Sequence, residues 1–133
     1  MTITRSKATS QGVTVSVQAR FSKEHSDPRQ PLWFFLYTIT IANAGPRAVQ
    51  LLNRHWEITD ANGRVEHVRG PGVVGDQPTL TAGQSFEYTS GCPLKTQFGY
   101  MKGEYEMRFT DTDERFDAEV AAFPLRITEE TLN

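Results

Sequence analysis

Residues 69–88 read RGPGVVGDQPTLTAGQSFEY, and this stretch decides between two fold classes. Its first glycines stand at the G-x-G-x-x-G spacing of dinucleotide-binding folds, in which a strand precedes the motif and a helix follows it. Here turn residues follow the glycines, and apolar side chains then stand at alternate positions, Phe86 and Tyr88, which is typical of a strand. Asp60 and Glu87 are also at the wrong offset for the acid that binds a ribose. The stretch therefore predicts a loop between two strands.

The length and composition of the chain limit its fold and its function classes. Its 133 residues suffice for one domain with a hydrophobic core, so we expect a single domain over residues 1–133 with flexible ends at residues 1–11 and 128–133. The formal net charge is -2 and the basic residues are scattered, which argues against nucleic-acid binding. No segment approaches the ~20 apolar residues of a membrane span, and the first residues lack the apolar core of a signal peptide. We therefore expect a cytoplasmic protein that is not inserted into a membrane.

Alternating apolar positions along the chain predict about eight β-strands and no substantial helix. Residues 13–21 alternate apolar with polar side chains, which is the period of a strand with one solvent face. Residues 32–42 are apolar on both faces, which predicts a central strand. Pro124 cannot donate to a strand ladder, so it predicts an edge position or a bulge for the last strand. The pattern predicts an antiparallel β-sandwich of the immunoglobulin or fibronectin type III kind, with a small β-barrel as the alternative.

Turn signals and parity changes predict how these strands connect. Residues 60–63, Asp-Ala-Asn-Gly, predict a hairpin turn because the Asn-Gly pair tolerates positive φ angles. A shift in apolar parity predicts a bulge near Asn53, and Gly99 and Gly103 predict a further turn before the next strand. The single cysteine, Cys92, excludes the inter-sheet disulfide of immunoglobulin domains. This favours the fibronectin-like variant and agrees with a reducing compartment.

Four segments of the chain resemble the bacterial ApaG family and stand in the family's order. They are HWEITD at residues 55–60, GPGVVGDQP at 70–78, FEYTSGCPL at 86–94 and GEYEM at 103–107. The resemblance extends over essentially the whole chain and implies a fibronectin type III-like sandwich. It also implies the family's association with cobalt resistance and magnesium efflux. Similar domains in eukaryotic F-box proteins and in a polymerase-interacting protein look like protein-binding modules. The family has no established catalytic residues, so the resemblance assigns none to this chain.

The glycine loop is the first candidate binding site, and it consists of Arg69, Gly70, Gly72, Val73, Val74 and Gly75. If the loop projects, Val73 and Val74 present an apolar tip to a partner protein. The alternative is that both valines fold back and fill an open end of the sandwich. In a third interpretation, successive loop amides beside Arg69 form an anion nest for a phosphate group.

The second candidate is a cation site at a turn rich in carboxylates. Its members are Asp111, Asp113, Glu114 and Asp117. Hard cations prefer such oxygen ligands, although the turn lacks the glycine and the ligand spacing of an EF-hand. A metal site shared by His55 and His67 is not expected. The predicted hairpin register pairs His67 with Ile58 or Trp56, which places His55 on the opposite face of the sheet.

These observations together predict a non-enzymatic module without a cofactor. It would bind a protein partner of unknown identity through the glycine loop or an exposed sheet face. Cys92 has no neighbour in the sequence that could activate its thiol, so it is interpreted as a small hydrophobic residue. The alternative is a small-ligand binding protein for a nucleotide, a pyrophosphate or a divalent cation.

Overall fold

Nine strands form two antiparallel sheets in the computed structural model, which describes residues 3–127. The strands are β1 Thr4–Ser10, β2 Val13–Asp27, β3 Leu32–Asn43, β4 Val49–Asp60, β5 Val65–Pro71, β6 Thr79–Leu80, β7 Ser85–Leu94, β8 Phe98–Phe109 and β9 Arg115–Arg126. One sheet has the order β1-β2-β3-β7, and the other has the order β5-β4-β8-β9 with β6 also pairing with β4. The predicted antiparallel β-sandwich is confirmed. The tail predicted to be flexible, residues 128–133, lies outside the described residues.

The core lies between the two sheets and consists of the inward half of each alternating strand. On β2 the three valines of residues 13–17 are at most 1% exposed, and the residues between them are only partly buried. At the centre, the Trp56 ring packs edge-to-face against Tyr37 and Phe123, with centroid distances of 5.5 and 6.1 Å. Aromatic quadrupoles favour this arrangement. The two-residue alternation in the sequence therefore identifies the side chains that form the core. Among the described residues, no helix is long and apolar enough to cross a membrane.

Residues 4–10, predicted as part of a flexible end, form strand β1 instead. This strand pairs with β2 and also meets β9 of the opposite sheet. The Thr4 hydroxyl donates to the carbonyl oxygen of Pro124 at 2.6 Å, and the Glu119 N–H donates to Ser10 Oγ at 3.1 Å. β1 is mostly polar, so apolar alternation could not reveal it. Its position depends on pairing and on these contacts across the sandwich.

The turn predicted at Gly99 and Gly103 is wrong, because both glycines lie inside β8. Their role is to let two strands approach closely. A Cβ atom at Gly103 would collide with the carbonyl oxygen of His55, and one at Gly99 would collide with that of Thr59. A strand interior accepts glycine at such points even though glycine weakens a strand elsewhere.

Other irregularities of the sheets agree with the sequence. The register between β4 and β8 shifts between Leu51 and Asn53, so the predicted bulge near Asn53 is confirmed. β3 lies between β2 and β7, as expected of a central strand. β9, which contains Pro124, is the terminal strand of its sheet. Because β1 and β9 meet on one side of the sandwich, β5 and β7 are the terminal strands on the other side. The glycine loop follows directly from β5.

Candidate functional site

The glycine loop closes in a two-residue turn at Val74 and Gly75. The N–H of Val73 donates to the carbonyl oxygen of Asp76, and the N–H of Asp76 donates to that of Val73, both at 2.8 Å. The φ angle is +43° at Val74 and +86° at Gly75, and positive values at both central positions characterise a type I′ turn. The G-x-G-x-x-G stretch therefore begins inside β5, at Gly70, and ends in the turn before β6, so it connects two strands as the sequence predicts.

The two valines of the loop have opposite environments. Val73 is 1% exposed and belongs to the hydrophobic core, whereas Val74 is 59% exposed at the turn. Val73 therefore folds back into the sandwich and Val74 projects from the loop, so each of the two alternatives drawn from the sequence holds for one valine. Gly72 allows this arrangement, because its φ is +61° and a Cβ there would collide with the carbonyl oxygen of Asp76. The apolar tip of the loop is reduced to a single side chain.

Three amides of the loop segment are engaged within the protein. The N–H of Gly72 donates to the carbonyl oxygen of Leu52 at 2.8 Å, and the N–H groups of Val73 and Asp76 close the turn. An anion nest needs successive amides that point at the ligand. The geometry of the loop therefore does not favour a phosphate site built from these backbone groups.

Arg54, which the sequence did not single out, holds the loop against β4. Its Nη1 atom donates to the carbonyl oxygens of Pro71 and Gly72, both at 3.0 Å. A Cβ atom at Gly70 would lie 3.0 Å from the Arg54 guanidinium group, so Gly70 leaves the space that this side chain occupies. Arg69 points to the other face of β5, opposite His55 in the strand register. The glycines of the motif thus leave space for the Arg54 side chain and for the close backbone contacts of the turn.

Replacing Val74 with asparagine is expected to stabilise the protein by about 1 kcal/mol, because a β-branched residue at positive φ is strained. The Asn-Gly pair is preferred at the centre of a type I′ turn. Urea unfolding of the variant and of wild type gives the difference in the free energy of unfolding. Val74→Ala is the matched control, since it removes the branched side chain without adding the asparagine preference. A lower stability for Val74→Asn than for Val74→Ala would contradict the assigned turn.

The carboxylates of the second candidate site are paired with arginines. Arg47 holds both oxygens of Asp111, at 3.0 Å from Nε and 2.8 Å from Nη2, and it also lies 3.8 Å from Glu114. The hydrogen bond from Arg47 lowers the pKa of Asp111. Asp113 lies 3.5 Å from both Arg108 and Arg115.

Asp117, the fourth predicted member, lies apart from this turn on β9, opposite Glu106. The four carboxylates therefore do not converge on one point. Among residues 3–127, no group of three or more His, Cys, Asp or Glu side chains is arranged to hold a metal ion.

The two histidines lie on the same face of the sheet, so the predicted hairpin register is wrong. His67 pairs with Glu57, and His55 pairs with Arg69. The cause is a three-residue loop. The N–H of Asp60 donates to the carbonyl oxygen of Arg64 at 3.0 Å, and Gly63 has a φ of +82°. A turn followed by a glycine in the left-handed region is the usual form of such loops.

Glu104, His55 and His67 form a chain of hydrogen bonds across three strands. His55 Nδ1 lies 2.8 Å from Glu104 Oε1, and His55 Nε2 lies 2.9 Å from His67 Nδ1. The ring planes differ by only 11° with centroids 5.2 Å apart. Since the nitrogen atoms between the rings are 2.9 Å apart, the rings lie nearly end to end in one plane and do not stack face to face.

The partners in this chain determine where its protons are. An ionised carboxylate only accepts hydrogen bonds, so His55 Nδ1 donates to Glu104. In a neutral His55 the other nitrogen, Nε2, must then accept, and His67 Nδ1 donates to it. We call these three residues the histidine relay. A shallow cavity of about 410 Å³ adjoins it, lined by His55, Arg69, Gly70, Glu104, Glu106 and Asp117 among others.

Cys92 is buried on the inner face of β7 at 2% exposure. Burial raises the pKa of its thiol to about 12, so the thiol is protonated at neutral pH. Because the thiolate is the reactive form, this side chain is a packing residue, in agreement with the interpretation of the sequence.

An exposed apolar patch lies on the outer face of the second sheet, away from the glycine loop. Phe98 and Tyr100 on β8 are 57% and 43% exposed, and Val65 on β5 is 46% exposed. Thr59 on β4 pairs with both Tyr100 and Val65, so Val65, Thr59 and Tyr100 form one row across three strands, and Phe98 lies two residues from Tyr100 on the same face of β8. We call Val65, Phe98 and Tyr100 the aromatic patch.

Comparison with known proteins gives consistent results over most of the chain. The ApaG domain family matches residues 23–109. Protein ApaG of Methylobacterium radiotolerans is 51% identical over 119 residues, which cover 90% of this chain and 91% of that protein. Protein ApaG of Brucella anthropi is 48% identical over 129 residues, which cover 96% of this chain and 98% of that protein.

Solved structures agree with these sequence matches. The crystal structure of an ApaA protein from Bordetella pertussis has a TM-score of 0.84 at 46% identity, covering 88% of this chain and 94% of that chain. The C-terminal domain of wzt has a TM-score of 0.55 at 7% identity and shares the fold alone. With a matching family domain, relatives at about half identity and the same arrangement of strands, the chain belongs to the ApaG family, whose members carry this small β-sandwich domain.

Proposed function

We propose that this ApaG-family protein is a non-enzymatic module that binds a protein partner through the aromatic patch. The observation that carries the proposal is the exposure of Phe98 and Tyr100 on a regular strand of a rigid sheet. Large aromatic side chains on a surface are the residues that most often contribute the binding energy of a protein interface. Their backbone is already ordered by two neighbouring strands, so binding costs little conformational entropy.

The charges beside the patch define the chemistry of the partner. Arg126 pairs with Phe98 across β9 and is exposed, whereas Lys102, which follows Tyr100 on the same face of β8, forms an ion pair with Glu57 at 3.5 Å. Positive charge at the rim of an apolar patch favours a partner segment with apolar side chains flanked by acidic ones. We therefore assign the patch to a protein segment of that composition. This placement differs from the glycine loop, where Val74 is the one exposed large hydrophobic side chain.

The reactive groups of the chain also support a binding function. The thiol of Cys92 is buried and protonated, and the arginines beside Asp111 and Asp113 neutralise the carboxylate-rich turn. The residues that would be needed as a nucleophile or as a hard-cation cage are thus occupied with packing and ion pairing. The cobalt and magnesium associations of the family are, in this proposal, consequences of partner binding.

The test is capture of partners from an extract by Phe98→Glu, Tyr100→Glu and wild-type protein. Val74→Glu is the matched control, because it places the same charge at another exposed apolar site. Mass spectrometry should find a protein retained by wild type and by Val74→Glu but reduced about 10-fold or more by the two patch variants. Equal recovery by all variants would contradict a role for the patch. Loss with Val74→Glu alone would instead assign binding to the glycine loop.

The alternative function is binding of a small ligand, and the geometry of the glycine loop and of the histidine relay bears on which ligand it would be. The bonds of the Gly72 and Val73 amides leave fewer backbone donors for a nucleotide or a pyrophosphate at the glycines. One structural observation supports binding of a divalent cation: two imidazole groups lie next to each other in the histidine relay.

A further inference from the structure

We propose that His55 and His67 form a two-imidazole site for a borderline divalent transition-metal ion such as Zn²⁺. The pair lies on the same sheet face as the aromatic patch, with His67 two residues from Val65 on β5, but it contains no patch residue and metal binding there does not require a partner. The proposal rests on two observations: the distance between the two ring nitrogens and the carboxylate behind His55. The sequence excluded such a pair only because it predicted the wrong hairpin register.

The spacing of the two nitrogens matches that of neighbouring ligands on one metal ion. Zinc binds imidazole nitrogen at about 2.0–2.1 Å, so two such ligands lie about 2.9 Å apart at a right angle and about 3.4 Å apart at the tetrahedral angle. His55 Nε2 and His67 Nδ1 are 2.9 Å apart. In the hydrogen-bonded pair the two nitrogens face each other along one line, so both rings must turn about their side-chain bonds before their lone pairs converge on a metal ion. The pairing of β4 with β5 keeps the two side chains close together.

Metal binding at this pair requires no net release of protons. His55 Nε2 is the accepting nitrogen of the relay, so its lone pair is available without proton loss. His67 carries its proton on Nδ1, and that proton moves through solvent to Nε2 of the same ring when the metal binds. The His67 side chain is exposed, so water reaches both of its nitrogens. No oxidant, reductant or net proton transfer is required.

Glu104 supplies the outer interaction that imidazole ligands use in metal sites. A ligating histidine commonly donates its other N–H to a carboxylate, which fixes the tautomer and makes the ligating nitrogen more basic. The hydrogen bond of 2.8 Å from His55 Nδ1 to Glu104 Oε1 has this arrangement.

The outer face of the sheet around the relay carries charges of both signs. Its carboxylates are Glu57, Glu104, Glu106, Asp117 and Glu119, and its cations are Arg69, Lys102, Arg108 and Arg115. Imidazole nitrogen suits Zn²⁺, Ni²⁺ and Cu²⁺, whereas Mg²⁺ prefers oxygen ligands. Because the pair provides two protein ligands, water completes the coordination. The site thus takes a transition metal and discriminates against Mg²⁺.

The test is titration of tag-free protein with Zn²⁺, followed by calorimetry and by NMR of the histidine ring nitrogens. We expect saturable binding of one ion that shifts the ring signals of His55 and His67. His67→Asn should weaken binding by about 100-fold, because one half of a chelating pair is lost. Glu104→Gln should weaken it by about 10-fold, the usual effect of removing an outer carboxylate.

His25→Asn is the matched control. His25 lies on β2 of the other sheet, where its ring is hydrogen-bonded to Ser22, so this variant should bind Zn²⁺ like wild type. Mg²⁺ should leave the ring signals of His55 unchanged. Zn²⁺ affinity that survives His67→Asn, or the absence of saturable binding to wild type, would overturn the proposal. Because His67 is exposed, circular dichroism of His67→Asn should match that of wild type.

Discussion

Gly103→Ala is expected to lower the free energy of unfolding by about 3 kcal/mol or more, because the added methyl group has no space between two strands. The new Cβ atom would collide with the carbonyl oxygen of His55, which belongs to the backbone of β4 and cannot turn away as a side chain can. β4 and β8 are the two inner strands of their sheet. Separating them would disturb the ladder on both sides. Urea unfolding, with the midpoint and the slope reported separately, measures the effect.

Gly45→Ala is the control for this substitution. Gly45 has no positive φ, and the nearest atom to a Cβ there is Asn43 Oδ1 at an ordinary 3.4 Å. Its stability should change by less than about 1 kcal/mol, in either direction. Similar losses for Gly45→Ala and Gly103→Ala would show that the collision with the His55 carbonyl oxygen is not the cause, and the steric explanation for Gly103 would fail.

Val73→Asp is expected to cost about 3 kcal/mol or more at neutral pH, because an ionised carboxylate would replace a buried methyl pair in the core. Val73 is 1% exposed. Burial raises the pKa of such a carboxyl group above its unfolded value. The folded state then favours the protonated form, so the loss should be smaller at pH 4 than at pH 7. Thermal or urea unfolding at both pH values measures this difference.

The matched control is Val74→Asp, which makes the same change one residue later. Val74 is 59% exposed and has positive φ, a conformation that aspartate accepts more readily than valine. This variant should be at least as stable as wild type at pH 7. If both variants unfolded alike, the division of the two valines between core and surface would be wrong.

The histidine relay shows why a local pattern fails to predict a site formed by strand pairing. A two- or four-residue hairpin loop pairs His67 with an even-numbered residue, whereas the observed three-residue loop pairs it with Glu57. A change of one residue in loop length moves the histidine to the other face of the sheet. The sequence did contain part of the signal for a three-residue loop. The carboxylate of Asp60 accepts the N–H groups of Asn62 and Arg64, and Gly63 follows the turn, which is typical of the three-residue form.

The glycine loop shows a different limit of sequence reasoning. The absence of a following helix could be read directly from residues 76–88, so the loop between strands was predictable. The sequence could not predict that Val73 is buried and Val74 is exposed, because both are apolar neighbours at a turn. Their separation depends on the type I′ geometry and on the space that Arg54 and Gly72 leave beside the core.

The fold class, the bulge near Asn53, the edge position of Pro124 and most of the core were predictable from the sequence, because two-residue alternation and turn chemistry are local properties of the chain. Which surface groups meet depends on the tertiary structure. Glu104, His55 and His67 come from three strands, and the pairing of β4 with β8 brings Arg47, before β4, beside Asp111, after β8. Such meetings depend on strand register and on closure of the sandwich. Those are set by packing of the whole chain and are not written in any single segment.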